Sequence, residues 1–273
     1  MDIRITNSCN NNCLYCLEQS YRNKDKFINK KDIFLEIKKN KIDKILNIYG
    51  GNPLTHPDIN EIILYGRQEG FESIGVLTNT HSLNHKTLDQ LINNGLTTLG
   101  FYFNSFNESA HNEIVNGGIN LQYLLENIEI VKKSGISNKA IIHINNQNIK
   151  TVYKDIFVLN KKYGIKNIEF VNYFPFDRPY DNFKNILEYS IIENRIYIDN
   201  LFKIIIKNDF KVRFVKFSKD FFGSFIDFYD YENGVLKQIG EEDILRLRDV
   251  LPFCLKEKRC NDCFIKDNCK FYE

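Results

Sequence analysis

The most constraining feature of this chain is a run of three closely spaced cysteines near its start. Cys9, Cys13 and Cys16 follow a short segment of alternating apolar residues. Three thiolates in one loop can hold three corners of a cubic iron–sulfur cluster, and with no fourth cysteine nearby in the sequence one iron stays open to a substrate or cofactor. A partial zinc site or a group of buried thiols is the alternative, although structural zinc takes four ligands and no histidine is close in sequence.

A glycine-rich segment supplies the context for the cysteine run. Gly50, Gly51, Asn52 and Pro53 follow the apolar stretch 44–48. Glycines there let a ligand approach the backbone where a Cβ would obstruct it. The CxxxCxxC loop, with an aromatic residue before its third cysteine, and this GGNP segment together resemble the radical S-adenosylmethionine (SAM) enzymes, whose second motif is GGEP-like. Asparagine in place of glutamate is a departure from that pattern.

The resemblance implies a [4Fe-4S] cluster on Cys9, Cys13 and Cys16, with SAM on the open iron. It also implies cofactor contacts that lie mostly at the ends of strands: Tyr15, Gly50, Gly51, Asn52, Pro53, Thr78, Asn79, Asn104, Ser105 and Asn145. On the fourth strand the match is ambiguous among Phe103, Asn104 and Ser105, and on the fifth Asn146 qualifies as well as Asn145.

Hydrophobic periodicity predicts an α/β fold. Short β-branched or aromatic runs alternate with longer segments of helical spacing, and this alternation is typical of repeated βα units. The expected strands are 3–6, 44–48, 73–78, 98–103, 139–144 and 167–171. Parallel strands joined by helical crossovers close into a barrel or part of one, with functional loops at their carboxyl ends. We therefore expect a partial (β/α)6 barrel over residues 1–207.

The last part of the chain carries four further cysteines. Cys254, Cys260, Cys263 and Cys269 would make a complete first shell for a metal centre. The spacing alone leaves a structural zinc site and a second [4Fe-4S] cluster about equally favoured, and the first motif shifts the balance towards iron and sulfur.

A turn signal precedes these cysteines. Asn233-Gly234 lies between two β-prone runs and predicts a hairpin. A hairpin followed by such a cysteine segment resembles the SPASM and twitch extensions of some radical SAM enzymes. Ile239 stands where the larger SPASM form has a cysteine, so the resemblance implies a reduced extension over residues 208–273 with one auxiliary cluster.

Composition excludes several function classes. A net charge of +2 gives no nucleic-acid footprint, and no apolar run is long enough to span a bilayer. No cleavable signal precedes the first strand, so we expect a cytoplasmic protein without membrane or nucleic-acid partners. Seven cysteines in close groups favour metal ligation in a reducing compartment over disulfides.

The resemblance implies reductive cleavage of SAM to a 5′-deoxyadenosyl radical that abstracts a substrate hydrogen, with an external electron donor such as flavodoxin or ferredoxin. The leading hypothesis is modification of a ribosomally made peptide by oxidation, crosslinking or epimerisation, and the alternative is oxidation or rearrangement of a free metabolite such as a sugar, nucleoside or cofactor precursor. An electron-transfer or scaffold protein is a third hypothesis, disfavoured by the glycine segment. The aromatic stretch 170–180 could line a substrate pocket or pack as a lid, and no catalytic acid or hydrogen donor is identifiable.

Overall fold

The structure is a computed structural model that describes residues 1–16, 26–40, 42, 44–172, 187–215, 217 and 219–228. The chain divides into two compact units. The first comprises Met1–Cys13, Glu18–Ile141 and Asn160–Ile165, and the second comprises Leu14–Leu17, Ile142–Leu159 and the chain from Lys166 onward. The four cysteines from Cys254 to Cys269, the expected hairpin at Asn233-Gly234 and most of the aromatic stretch 170–180 lie outside the described residues.

Strands and helices alternate along the described residues. The strands are β1 (Asp2–Thr6), β2 (Ile45–Gly50), β3 (Ser73–Thr78), β4 (Thr98–Tyr102), β5 (Ser137–Ile144), β6 (Asn167–Asn172) and β7 (Lys211–Val215). The α-helices are α1 (Lys30–Lys39), α2 (Ile59–Gln68), α3 (His85–Asn93), α4 (Glu108–Val115), α5 (Leu121–Ser134), α6 (Val152–Tyr163), α7 (Arg195–Lys207) and α8 (Lys219–Phe222). Short 3-10 helices cover Pro53–Thr55 and Gly223–Phe228.

The strands follow chain order in the sheet, and they pair in parallel from β1 through β5 and from β6 to β7. The six expected strands are all present, which confirms the α/β fold of the partial-barrel type. One strand, β7, was not predicted. It lies within the range assigned to the extension and pairs with β6 through Phe170 and Phe214. The domain boundary at residue 207 stays a prediction.

The first unit is built on an aliphatic core. Alternate residues of β2, Leu46 and Ile48, are fully buried, and they pack in one cluster with residues of α1 and α2 such as Ile37 and Ile62. This is the pattern expected of parallel strands covered by crossover helices, because each helix buries an apolar stripe against the sheet. The buried core holds the strands in register and so fixes where their carboxyl ends lie.

Several helices of the first unit begin at an asparagine. The side chains of Asn29, Asn84, Asn107 and Asn120 each accept a hydrogen bond from a backbone N–H in the first helical turn. Asn84 forms a reciprocal capping box with Thr87. Because these N–H groups have no partner within the helix, a capping side chain stabilises each helix start, typically by about 1 kcal/mol.

The second unit contains a cluster of aromatic side chains. Phe202 on α7 and Phe214 on β7 have ring centroids 5.3 Å apart, and Phe214 stacks on Phe170 of β6 at 5.0 Å. Phe221 and Phe222 of α8 also pack against Phe202. Burying these rings ties α7 and α8 to the last two strands. Among the described residues, no helix combines the length and the apolar character that a bilayer crossing requires.

The burial pattern of β2 generates a stability test with a matched control on the same strand. Ile48 is fully buried, whereas Ile45 is 52% exposed. We expect Ile48→Ala to lower the free energy of unfolding by about 2–5 kcal/mol, because it leaves a cavity in the core, and Ile45→Ala to lower it by less than about 1 kcal/mol. Urea unfolding of the reduced apoprotein measures both, and equal losses would contradict the assignment of the core face.

Candidate functional site

The cysteine loop begins directly after β1. Cys9, Cys13 and Cys16 are each partly exposed, which leaves their sulfur atoms within reach of a ligand. The backbone leading into the loop is hydrogen-bonded, with Asn7 N and Ser8 N donating to Lys26 O at 2.9 and 3.3 Å. The start of the loop is therefore held both by β1 and by hydrogen bonds to the backbone at Lys26.

The residues between the first two cysteines attach the loop to the turn after α4. Asn11, which is 5% exposed, accepts a hydrogen bond from Ile119 N at its Oδ1 over 3.0 Å. Asn12 N donates to Val115 O over 3.1 Å. A Cβ on Gly118 would overlap the Asn11 side chain, so the turn approaches the loop as closely as glycine permits.

A buried histidine supports this turn from the other side. His111 on α4 is fully buried, and its Nε2 lies 2.8 Å from Ile119 O. Ile119 is also the residue whose N–H donates to Asn11. Burial lowers the pKa of His111 below its ordinary value, because the charged form would lose its solvation. Its Nδ1 has no hydrogen-bond partner in the described part of the chain. A neutral imidazole that donates from Nε2 fits both observations.

Two glycines bring the end of β2 against the cysteine loop. Gly50 has φ +137°, and a Cβ there would overlap Thr6 O, while a Cβ on Gly51 would overlap Ser8 O. Gly51 N donates to Thr6 O over 2.9 Å, and Asn52 N donates to Ser8 O over 2.7 Å. The glycine motif is thus a close backbone contact with the residues just before Cys9.

Asn52 connects three segments of the first unit through its side chain. Its Oδ1 accepts from Thr78 Oγ1 at 2.7 Å and from Leu54 N at 3.4 Å, and its Nδ2 donates to Asn10 Oδ1 at 3.1 Å. Asn52 and Thr78 are fully buried, and Pro53, also buried, opens the 3-10 turn that Asn52 caps. With both lone pairs of its Oδ1 engaged, Asn52 holds the end of β2 to β3 and to the cysteine loop.

Asn79 makes a second link between β3 and the cysteine loop. Its Nδ2 lies 2.9 Å from Asn10 Oδ1 and 3.6 Å from Cys9 Sγ, and its Oδ1 accepts from His81 N at 3.0 Å. The backbone N of Asn11 also lies 3.5 Å from Cys9 Sγ. Polar hydrogens from two segments therefore surround the first cysteine sulfur.

The aromatic residue of the cysteine motif has a stacking partner in the second unit. The rings of Tyr15 and His143 are 4.0 Å apart between centroids, with an angle of 14° between their planes. Tyr15 is 7% exposed. His143, near the end of β5, therefore fixes the orientation of the ring that precedes Cys16.

The remaining predicted residues also lie at strand ends. Asn104 and Ser105 follow β4 and are buried, and Ser105 Oγ accepts from Asn107 N at 3.0 Å. Asn145, in the second unit, follows β5 and is buried, whereas Asn146 is exposed. Asn145 Nδ2 donates to His143 O at 2.9 Å, and its Oδ1 accepts from Gln147 N at 2.9 Å.

Contacts thus connect Cys9, Gly51, Asn52, Thr78 and Asn79 in the first unit. The sequence pattern did not identify three further residues at these sites, Asn10, Asn11 and His143. For the first two, the only available signal was their position between two predicted ligands.

The polar groups around Cys9 are of a kind that supports a thiolate-bound cluster. A cubic cluster binds each thiolate at a separate iron, so its ligands lie further apart than the ligands of one ion. The N–H groups directed at Cys9 Sγ suit a thiolate-bound cluster.

The comparison with known families decides the class of protein. The family model described as the radical SAM superfamily matches residues 3–158, more than half of the 273-residue chain. The chain belongs to the radical SAM superfamily. The matched range includes the cysteine loop, the glycine motif and the ends of β3, β4 and β5. Membership of this superfamily implies a [4Fe-4S] cluster and SAM.

One curated relative and two solved structures illustrate the likeness. "Molybdenum cofactor biosynthesis protein 1" of Bos taurus is 26% identical over 207 residues, which cover 69% of this chain and 30% of that protein. The structure of Streptococcus suis SuiB bound to precursor peptide SuiA has a TM-score of 0.65 at 14% identity, covering 85% of this chain and 52% of that one. The structure of anSMEcpe with AdoMet and Kp18Cys peptide has a TM-score of 0.63 at 14% identity, covering 78% of this chain and 63% of that one. At these identities the two structures show the shared fold, and this chain spans about a third to two thirds of the matched proteins.

The close contact of Gly51 with the backbone before Cys9 generates a prediction about cluster assembly. Gly51→Ala would drive its new methyl group into Ser8 O, and the backbone before Cys9 would have to move. We expect the variant, after anaerobic reconstitution, to retain less iron and sulfide and to bind SAM more weakly by on the order of tenfold. Gly75→Ala is the matched control, because its methyl group would meet only the end of the exposed Asn47 side chain. Normal iron content and SAM affinity in Gly51→Ala would show that the close contact of Gly51 with Ser8 is not needed for cluster and SAM binding.

The attachment of Asn11 generates a second prediction. Asn11→Ala leaves the buried N–H of Ile119 without its acceptor, so we expect a loss of about 1–3 kcal/mol in the free energy of unfolding of the apoprotein. Asn112→Ala is the control, because it removes an exposed amide from α4 and should change the stability little. Urea titrations of the two variants under reducing conditions measure the difference, and equal losses would show that the hydrogen bond is not the cause.

Proposed function

We propose that Cys9, Cys13 and Cys16 bind a [4Fe-4S] cluster with one open iron, and that SAM binds that iron beside the glycine motif. The observation that carries this proposal is the direct contact of Gly51 and Asn52 with Ser8, the residue before Cys9. It joins the two motifs at the carboxyl ends of neighbouring strands, where parallel α/β sheets bind ligands.

The residues of the chain position and shield this chemistry. Gly50 and Gly51 let the end of β2 pack directly against the backbone before Cys9, and the link from Asn52 to Thr78 holds that backbone still. We assign cofactor contacts to the ends of the other strands as well: Pro53, Thr78, Asn104, Ser105 and Asn145. Tyr15, the residue before Cys16, is held in place by its stack on His143.

Cys9, Cys13 and Cys16 would hold the cluster, and the cluster with SAM would supply radical chemistry, in which one electron would cleave SAM into methionine and a 5′-deoxyadenosyl radical able to abstract a hydrogen atom from an unactivated carbon of the substrate. The contribution of the protein is to orient the reacting groups and to exclude water and competing hydrogen donors. The electron comes from an external donor such as flavodoxin or ferredoxin. The neutral, hydrogen-bonded side chains around Cys9 suit a negatively charged cluster, since they add no like charge to it.

For the substrate we propose a ribosomally made peptide. SuiB and anSMEcpe are both described in complexes with peptides, and both share the fold of this chain. The alternative is a small metabolite such as a cofactor precursor, supported by the similarity to a molybdenum cofactor biosynthesis protein. Incubating the reconstituted enzyme with SAM, a reductant and candidate peptides from neighbouring genes tests the choice by mass spectrometry. A peptide product supports the first proposal, and turnover of metabolite pools alone supports the second.

We further propose that Cys254, Cys260, Cys263 and Cys269 bind one auxiliary [4Fe-4S] cluster in a SPASM- or twitch-like extension, with zinc as the alternative. Such a cluster could accept an electron from the substrate radical or bind the substrate directly. Metal analysis after anaerobic reconstitution separates the two: about eight irons per chain support two clusters, and about four irons with one zinc support a structural zinc site.

A pair of cysteine substitutions distinguishes the roles of the two groups. We expect Cys13→Ala to abolish formation of 5′-deoxyadenosine, because it removes a ligand of the cluster that cleaves SAM. Cys260→Ala should leave that cleavage within about threefold of wild type yet strongly reduce product formation. Chromatographic measurement of 5′-deoxyadenosine and product from the same reactions checks both. If Cys13→Ala still cleaves SAM at the wild-type rate, the proposed cluster site is wrong.

A further inference from the structure

We infer that Asn79 is a positioning residue that hydrogen-bonds the thiolate of Cys9 and thereby raises the reduction potential of the cluster. This inference rests on the proposed function, because it concerns the cluster that Cys9 is proposed to bind. It assigns Asn79 a role through the protein ligand, which differs from the direct SAM contact that the family resemblance implies.

The orientation of the Asn79 amide is fixed by its neighbours. His81 N donates to Asn79 Oδ1 over 3.0 Å, so the oxygen faces the backbone of the following turn. The Nδ2 group must then face the cysteine loop, where it lies 2.9 Å from Asn10 Oδ1 and 3.6 Å from Cys9 Sγ. An inverted amide would place oxygen against both Asn10 Oδ1 and the sulfur and would turn its nitrogen towards a backbone donor.

The place of Asn79 in the fold makes this contact rigid. Asn79 follows directly on Thr78, the last residue of β3, and is 5% exposed. Thr78 is itself bonded to Asn52, and Asn52 donates to the same Asn10 oxygen that accepts from Asn79. Asn10 therefore receives two amide donors from two strand ends and fixes the position of the neighbouring Cys9 relative to both.

The electrostatic effect has a definite sign. Reduction adds one electron to the cluster and makes the cysteine sulfurs more negative, so an N–H group directed at a sulfur stabilises the reduced state more than the oxidised state. Asn79 is itself 5% exposed, so water screens its amide less than it would screen a surface group. The backbone N of Asn11, 3.5 Å from the same sulfur, acts in the same direction. A higher potential makes the cluster easier for a physiological donor to reduce.

A redox titration of the cluster tests the role of Asn79 without relying on turnover. The wild-type protein and Asn79→Ala are reconstituted anaerobically, and each is titrated with dithionite, which supplies the single electron. Electron paramagnetic resonance follows the reduced form of the cluster proposed on Cys9, Cys13 and Cys16. We expect the variant to be harder to reduce by on the order of tenfold in the one-electron equilibrium, a shift of about 59 mV to more negative potential. We expect its SAM affinity, measured separately, to stay within about threefold of wild type.

Two further variants keep the test decisive. Asn79→Ser retains an oxygen that can accept from His81 N and lacks the amide donor, so it should show the same shift with the turn preserved. Asn94→Ala removes an amide-to-amide hydrogen bond, to Asn60, far along α3 from the cysteine loop, and should leave the potential unchanged.

The other outcomes overturn the inference in distinct ways. An unchanged potential with much weaker SAM binding would make Asn79 a direct cofactor contact, and an unchanged potential with unchanged SAM binding would leave it no role at the site. Loss of the cluster from both Asn79 variants would show that Asn79 is needed to assemble the cluster and does not merely tune its reduction potential. If the wild-type protein holds no [4Fe-4S] cluster or does not cleave SAM, the proposed function itself fails. If the wild-type protein holds the cluster and cleaves SAM, an unchanged potential in the variants counts against the role of Asn79 alone.

Discussion

The site depends on how tightly an irregular loop is held against the ends of the first strands. A loop that presents several thiolates lies outside the helices and strands, and fixing it costs conformational entropy. Here the cost is offset by contacts from separate elements: Gly51 and Asn52 bond the backbone before Cys9, and Ile119 bonds Asn11. The strand ends are themselves fixed by a buried aliphatic core, so the precision of the loop derives from the sheet.

Neutral amides make these attachments, and their chemistry suits the place. An asparagine side chain donates and accepts at once, so Asn10, Asn52 and Asn79 form a connected network without any net charge. A carboxylate at the fully buried position 52 would need a counter-charge. The exchange of the family's glutamate for asparagine is therefore consistent with a residue whose oxygen is used inside the protein, by Thr78 and Leu54.

The parts of this structure that follow from local pattern were predictable. Alternating apolar residues predicted six strands. The rule that parallel sheets gather functional loops at the carboxyl ends of their strands predicted that the cysteine and glycine motifs lie together. The bonds from Asn10 and Asn11 were not predictable, because each joins residues that lie far apart in sequence and depends on the final packing. The stack of His143 on Tyr15 was missed for the same reason. Strand β7 escaped because its range had been assigned to the cysteine-rich extension.

The distribution of these contacts also bears on substrate choice. The network around Cys9 consists of groups that face the loop, the glycine motif and one another, so it serves cofactor chemistry that peptide-modifying and metabolite-modifying enzymes have in common. The range matched by the family model ends at residue 158, before β6. Selection of the substrate must then come chiefly from residues outside this network. A change in substrate class could accordingly evolve while Asn52, Asn79 and the loop that they hold stayed the same.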